Sequence, residues 1–155
     1  MIDALLAAYD LKALPRTGWL RKGITDGESV AAHSWGMGIL VLMLCPEDVD
    51  RERALTYALL HDLPEVRTGD ITPHDGVSKH DKAIAEAGAM AALCANLPAG
   101  DRLEQLWHDY EAQADAAARF VKQVDRLDMA LQALSYRRRT GTDLGEFLDS
   151  ADPVV

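Results

Sequence analysis

The sequence predicts an all-α bundle folded as a single domain, and three observations carry that reading. Apolar residues recur at helical spacing along nearly the whole chain, and no strand-length stretch alternates with a period of two. No internal repeat appears. At 155 residues, 48% of them hydrophobic, the chain can bury one sizeable core and is too apolar to stay disordered.

Each element follows from local pattern. Ile2, Leu5, Leu6 and Tyr9 mark a first helix that stops before Pro15, and residues 16–27 read as a glycine-punctuated loop containing Trp19. Ser29 caps a second helix whose apolar face holds His33, Met37, Leu40, Val41 and Leu44, closed by Pro46. A third helix covers about residues 50–62, and Pro64 ends or kinks it by pushing Leu63 out of the helical region. Residues 68–77 form the longest irregular stretch. Ser78 with Asp81 reads as a capping box opening a helix to about Asn96, broken by Leu97-Pro98-Ala99-Gly100. Leu103, Leu106, Trp107 and Tyr110 mark a fifth helix. Asp115 caps the last long one, with an apolar stripe of Phe120, Val124, Leu127, Leu131 and Leu134. The domain is expected to cover residues 1–139, with a short tail, 140–155, that can be partly helical.

Composition narrows the function. A formal net charge of −9 disfavours a nucleic-acid polymer as partner, because such binding is driven by releasing counterions from phosphates. The longest apolar run, Ile39 to Cys45, is far short of the roughly 18–20 residues that span a bilayer, so no membrane association is expected. The amino terminus has no basic stretch ahead of an apolar one, which points to a soluble cytoplasmic protein. Cys45 and Cys94 belong to no Cys-x-x-Cys pair and read as free buried thiols.

The chemistry is concentrated at His61-Asp62, which emerges from the apolar run Ala58-Leu59-Leu60. A buried Asp is costly unless it is paired or bound to a metal, and imidazole with carboxylate can hold a divalent ion without thiolates. Adjacent helical residues point about 100° apart, so the two share an ion only with ligands from other elements. His33, on the apolar face of the second helix, is one candidate; alone it would read as a satisfied core histidine. On the last helix Val121, Asp125, Asp128 and Gln132 share a face, and spacing does not choose between Asp125 and Asp128. Glu65 follows Asp62 by three residues, within reach of the same side of a continuing turn.

The ordered set His33, His61-Asp62, Asp125 resembles the HD-domain metal-dependent phosphohydrolases. Arg16-Thr17-Gly18-Trp19, Glu28-Ser29-Val30-Ala31-Ala32-His33-Ser34-Trp35, His61-Asp62-Leu63-Pro64-Glu65, Thr68-Gly69-Asp70-Ile71 and Val121-Lys122-Gln123-Val124-Asp125 resemble its 5′-deoxynucleotidase branch, the YfbR-like and HD-domain-containing protein 2 group. The match runs over residues 9–136, and five ordered motifs are far more specific than one His-Asp pair. The resemblance implies an HD-type bundle that hydrolyses deoxyribonucleoside 5′-monophosphates at one divalent transition metal ion, cobalt, manganese, iron or zinc. It implies His33, His61, Asp62 and Asp125 as metal ligands, so choosing Asp125 over Asp128, and Glu65 and Asp70 as catalytic carboxylates. Arg16, Trp19 and Asp70 then match substrate-binding positions: guanidinium suits phosphate, and an indole against the sugar could exclude a 2′-hydroxyl. Relatives form homodimers, which is the assembly expected here.

Two departures touch no implied ligand: Ala32 stands where relatives often carry a charge, and Arg137-Arg138-Arg139 where they commonly turn acidic. Other classes share parts of this pattern. Some HD proteins hold two irons and activate oxygen through two further histidines, and His80 and His108 occupy the matching interval. A hydrolase of alarmone-type nucleotides would need more chain than this one has. A non-catalytic nucleotide-binding module would have no use for Glu65.

Overall fold

Ser29, Asp50, Ser78 and Asp115 each accept a hydrogen bond from the backbone N–H three residues on, at 3.1, 3.0, 3.0 and 2.8 Å, and so open four helices. The computed structural model describes residues 1–149. In these the helices are α1 (Ile2–Asp10), α2 (Thr17–Arg21), α3 (Val30–Leu44), α4 (Arg51–Leu60), α5 (Glu65–Thr68), α6 (Lys79–Cys94), α7 (Gly100–Glu111), α8 (Ala116–Thr140) and α9 (Gly145–Asp149). No strand occurs among the described residues, apart from an isolated antiparallel bridge between Pro15 and Ser29.

Helices α3, α4 and α8 pack against one another and hold the main core. Met37 and Val41, Ala54, Tyr57 and Ala58, Tyr110, and Ala117, Ala118, Val121 and Val124 form one buried cluster. A second cluster joins Leu60, Met90, Cys94 and Trp107 behind the His61 turn. A third joins Trp19, Ile24, Ala133, Tyr136 and Leu144, with Phe147 and Leu148 packed on it.

The structure corrects several local expectations. The stretch 16–27 is not all loop, because α2 forms within it and sinks Trp19 into the third cluster. No residue of α1 is buried; Leu5, Leu6 and Tyr9 are exposed, and Leu11 just beyond carries the contact with the core. On α8 the stripe drifts: Leu131 and Leu134 are 45% and 37% exposed, and the buried row is Ala117, Val121, Val124, Asp128, Ala133 and Tyr136. Small Ala residues on that row let neighbours approach closely, α3 and α4 at Ala117 and Trp19 at Ala133, where leucine would not fit. On α3 the expected face ends early, since Leu44 is 50% exposed. Of the two free cysteines, Cys94 is buried and Cys45 only half-buried. Residues 140–149 lie on the domain, with Gly141 in the left-handed conformation ending α8 and Leu144 wholly buried beside Trp19. The rest of the expected tail, 150–155, lies outside the described residues.

Candidate metal centre and substrate cavity

His33 projects from the first turn of α3, wholly buried, and His61 ends α4 at 7% exposure. The chain leaves the helix at His61-Asp62-Leu63-Pro64 and restarts at once as α5, so Glu65 opens a new helix rather than extending α4. Asp125 comes from the inward side of α8. These elements converge. His61 Nε2 lies 3.1 Å from Asp62 Oδ2, while His33 Nε2 lies 3.8 Å from the same oxygen and 3.3 Å from Asp125 Oδ1.

Both outer nitrogens are turned inward by bonds on the opposite side of the ring. His33 Nδ1 sits 2.7 Å from Asp128 Oδ2, and His61 Nδ1 sits 3.0 Å from the Ala58 carbonyl oxygen. Second-sphere bonds of this kind orient metal-ligating imidazoles. Asp128 can approach because Gly36 stands beside it: a Cβ there would run into the carboxylate. The Trp107 indole N–H holds the His61 carbonyl at 3.0 Å. The two inward Nε2 atoms are buried with no hydrogen-bond partner. Donors about 2.1 Å from one ion stand roughly 3.0 Å apart at a right angle and up to about 4.2 Å apart when opposite, so His33, His61, Asp62 and Asp125 fit a divalent cation that accepts the two orphaned nitrogens. The neighbouring group of Glu28, His33 and Asp128 is a hydrogen-bonded support instead, with Glu28 Oε1 accepting the Trp19 indole N–H at 2.9 Å.

Electrostatics agree with a cation-seeking centre. Burial works against charge on His33, but the adjacent carboxylates of Asp125 and Asp128 outweigh it and lift the imidazole to about 10. Against the same burial, His61, Arg16 and His33 hold the Asp62 carboxyl well below its ordinary range, and His33 and Lys122 do so for Asp125. Glu65 goes the other way. It is 3% exposed, and burial reinforced by Asp62 and Asp70 pushes it up to about 9, so it holds a proton at neutral pH. Burial, then Asp125 and Asp62, raises the Tyr110 phenol above its ordinary value.

A cavity of about 410 Å³ opens over Asp62, Asp125 and Glu65, within the size range of small-molecule sites. Arg16 and Asp70 give it polar groups, and Met129, Ile71, Pro73 and Phe147 give it apolar ones. Arg16 Nη1 lies 3.2 Å from Asp62 and 3.5 Å from Asp70, with Nη2 3.1 Å from Met129 Sδ, so its charge faces the carboxylates. Asp70 follows Gly69, whose φ of +77° suits glycine, and accepts the Thr17 backbone N–H at 2.6 Å, tying the 69–74 loop to the start of α2. Trp19 supports the cavity floor but has no exposed area, its ring packed on Tyr136 and Phe147 at 5.1 and 4.4 Å.

The structure therefore brings together His33, His61, Asp62 and Asp125, with Glu65, Asp70 and Arg16 beside them. It leaves His80 and His108 on the surface, the latter 3.9 Å from Glu104. Sequence reasoning missed Lys122, whose Nζ lies 2.9 Å from Asp125 Oδ2, although its i, i+3 spacing was a signal. Phe147 carried no signal at all.

This helical bundle with two histidines and two aspartates at its centre defines a class. The HD domain model matches residues 8–152, and the chain belongs to that family. It is 37% identical over 145 residues to the 5′-deoxynucleotidase hdd1 of Schizosaccharomyces pombe, covering 88% of this chain and 73% of that one. It is 38% identical over 156 residues to the 5′-deoxynucleotidase HDDC2 of Danio rerio, covering 98% and 78%. Among solved structures, a conserved hypothetical protein from Pyrococcus furiosus matches with a TM-score of 0.84 at 33% identity, covering 99% of this chain and 89% of that one. A predicted metal-dependent phosphohydrolase from Magnetospirillum magnetotacticum matches with a TM-score of 0.78 at 29% identity, covering 98% and 80%.

Proposed function

We propose that this protein is a metal-dependent phosphomonoesterase that hydrolyses deoxyribonucleoside 5′-monophosphates to deoxynucleoside and phosphate. The observation that carries the reading is the pair of buried, partnerless Nε2 atoms of His33 and His61, meeting Asp62 and Asp125 at the inner end of a nucleotide-sized cavity. His33, His61, Asp62 and Asp125 would hold the ion. When bound there, a divalent cation supplies charge neutralisation for phosphoryl oxygens and acidifies water. The all-N/O donor set leaves cobalt, manganese, iron and zinc as candidates.

The remaining work falls to the chain. Arg16, which lines the cavity beside Asp62, helps neutralise phosphate oxygens. Glu65 faces the cavity with a proton in place and delivers it to the leaving 5′-oxygen. Asp70 holds Arg16 and the start of α2 in register, and the sugar lies toward the wall that Trp19 supports. The identity to proteins named 5′-deoxynucleotidases favours this substrate class. The test is turnover of dAMP, dGMP, dCMP, dTMP and dUMP against their ribonucleotides, with single metals added to chelated protein. Deoxy-selective phosphate release is expected; equal turnover of both sugars removes the role given to Trp19.

A homodimer in the cytoplasm is part of the same reading. Trp35, Ile39, Leu42 and Met43 form an exposed apolar stripe on α3, suited to a second copy. Free thiols suit a reducing compartment. Among the described residues no helix is long and apolar enough to cross a membrane.

A further inference from the structure

A second cavity, of about 350 Å³, adjoins the first, and the two share Asp62, Lys82, Lys122 and Asp125 in their lining. The first is otherwise built from α2, the 69–74 loop and α9; the second from α6 and α7, through Ala83, Glu86, Tyr110 and Glu111. His61 faces the second cavity and Glu65 the first. Two of the proposed metal ligands, Asp62 and Asp125, thus form a partition between two chambers, with Lys82 and Lys122 beside them.

The second chamber contains a group that asks for a ligand. Tyr110 is 2% exposed, and its hydroxyl has no hydrogen-bond partner, although its ring stands 5.6 Å from that of His61. A buried hydroxyl without a partner is unfavourable, and a water in the adjoining space would satisfy it. Besides Asp62 and Asp125, two acids line the same space. Glu86 is engaged by Lys82 at 3.5 Å, whereas Glu111 follows Tyr110 in the chain and reaches solvent, which can carry a proton away.

Phosphoryl transfer places the attacking and leaving oxygens roughly in line across phosphorus. With the nucleoside in the first cavity and Glu65 on its leaving side, water has to arrive from the other side of the partition. We propose that the second cavity is the water side of the site, that the Tyr110 hydroxyl positions the attacking water, and that Glu111 accepts its proton. This rests on the phosphomonoesterase reading. The water oxygen forms a bond to phosphorus as the P–O5′ bond breaks with its electron pair going to O5′. One water proton passes to the Glu111 carboxylate, and the Glu65 proton passes to O5′. Exchange with solvent then returns Glu111 to carboxylate and Glu65 to acid, so one water is consumed for each ester cleaved.

The test uses full-length protein with Mn²⁺, reading kcat and KM for dAMP together with Mn²⁺ affinity by electron paramagnetic resonance. Glu111→Gln is expected to lower kcat about 100-fold or more and Tyr110→Phe about tenfold, with KM and Mn²⁺ affinity within twofold of the parent. Ala83→Trp, on the exposed side of α6, narrows the chamber without touching a charge and should lower kcat alone. If kcat stays within threefold in all three, the inference is overturned. It is equally overturned if Mn²⁺ affinity falls in step with kcat, which makes these residues holders of the ion, or if Ala83→Trp raises KM alone, which puts substrate in the chamber. A parent protein that binds Mn²⁺ yet cleaves no deoxynucleotide overturns the phosphomonoesterase reading itself and this inference with it.

Discussion

His33, Asp125 and the His61 turn are carried by α3, α8 and the end of α4, three helices locked together by the main core. Arg16, Asp70 and Phe147, which shape the cavity, come instead from α2, the loop after α5, and α9, segments of four or five helical residues joined by turns. The ligands are held by buried packing and by bonds to Asp128 and Ala58. The wall is held by a few polar ties: Asp70 to Thr17, Glu28 to Trp19, and Glu146 to Arg21 and Lys22. A centre built on the core tolerates little change and sets the chemistry. A wall built from short segments can vary, and it sets what the chemistry acts on.

That contrast can be broken at the centre first. Asp62→Ala removes the carboxylate oxygen that stands beside both histidine Nε2 atoms and pairs with Arg16. It should abolish Mn²⁺ binding and lower turnover by about 1,000-fold or more, since a metal contributes several kcal/mol to the transition state. Glu65→Gln should cost kcat about 100- to 10,000-fold while leaving metal affinity intact. A loss of Mn²⁺ binding there would make Glu65 a ligand instead.

Asp128→Asn sharpens the comparison, because it touches neither ion nor substrate. Replacing the carboxylate that orients His33 by a neutral amide weakens that bond and should lower metal affinity about 10- to 100-fold. Gly36→Ala should reproduce the effect by displacing the Asp128 carboxylate. The imidazole also yields a pH dependence. In the metal-free protein His33 is lifted to about 10, above its ordinary 6.5, so its protonated form stabilises the fold below that ordinary value and the contribution disappears as pH rises through about 10. An ion at Nε2 must displace that proton. Binding should therefore tighten with rising pH and release protons at pH 8, measured by calorimetry in buffers of different ionisation enthalpy. The smallest effect belongs to the wall: Phe147→Ala should raise KM for nucleotides about 5- to 10-fold, as for loss of one stacking contact, and leave kcat and metal affinity unchanged.

Much of this was legible in one dimension. The capping residues Ser29, Ser78 and Asp115 announce their helices, because a side chain satisfying its own backbone is a local event. His33, His61 and Asp62 stand out because a polar residue inside an apolar run needs a partner, wherever that partner lies. Periodicity failed where neighbours decide. Leu131 and Leu134 looked buried and are exposed, while Ala117 and Ala133 are buried, because close helix approach selects small side chains over apolar ones. Short α2 hid in a glycine-rich stretch, as five residues cannot show a helical period.

The sequence by itself determined the all-α class, the main helix starts and the residue types able to hold a divalent ion, since these depend on neighbours within a turn or two. Only the tertiary structure decided which faces are buried, that Asp128 steers His33 from 95 residues away while Asp125 faces the centre, and that α9 closes the cavity beside Trp19. It alone placed Tyr110 and Glu111 across the partition from Glu65. The physical reason is distance along the chain: a cap or a helical turn is settled by local bonds, but a cavity exists only where remote segments stop short of contact.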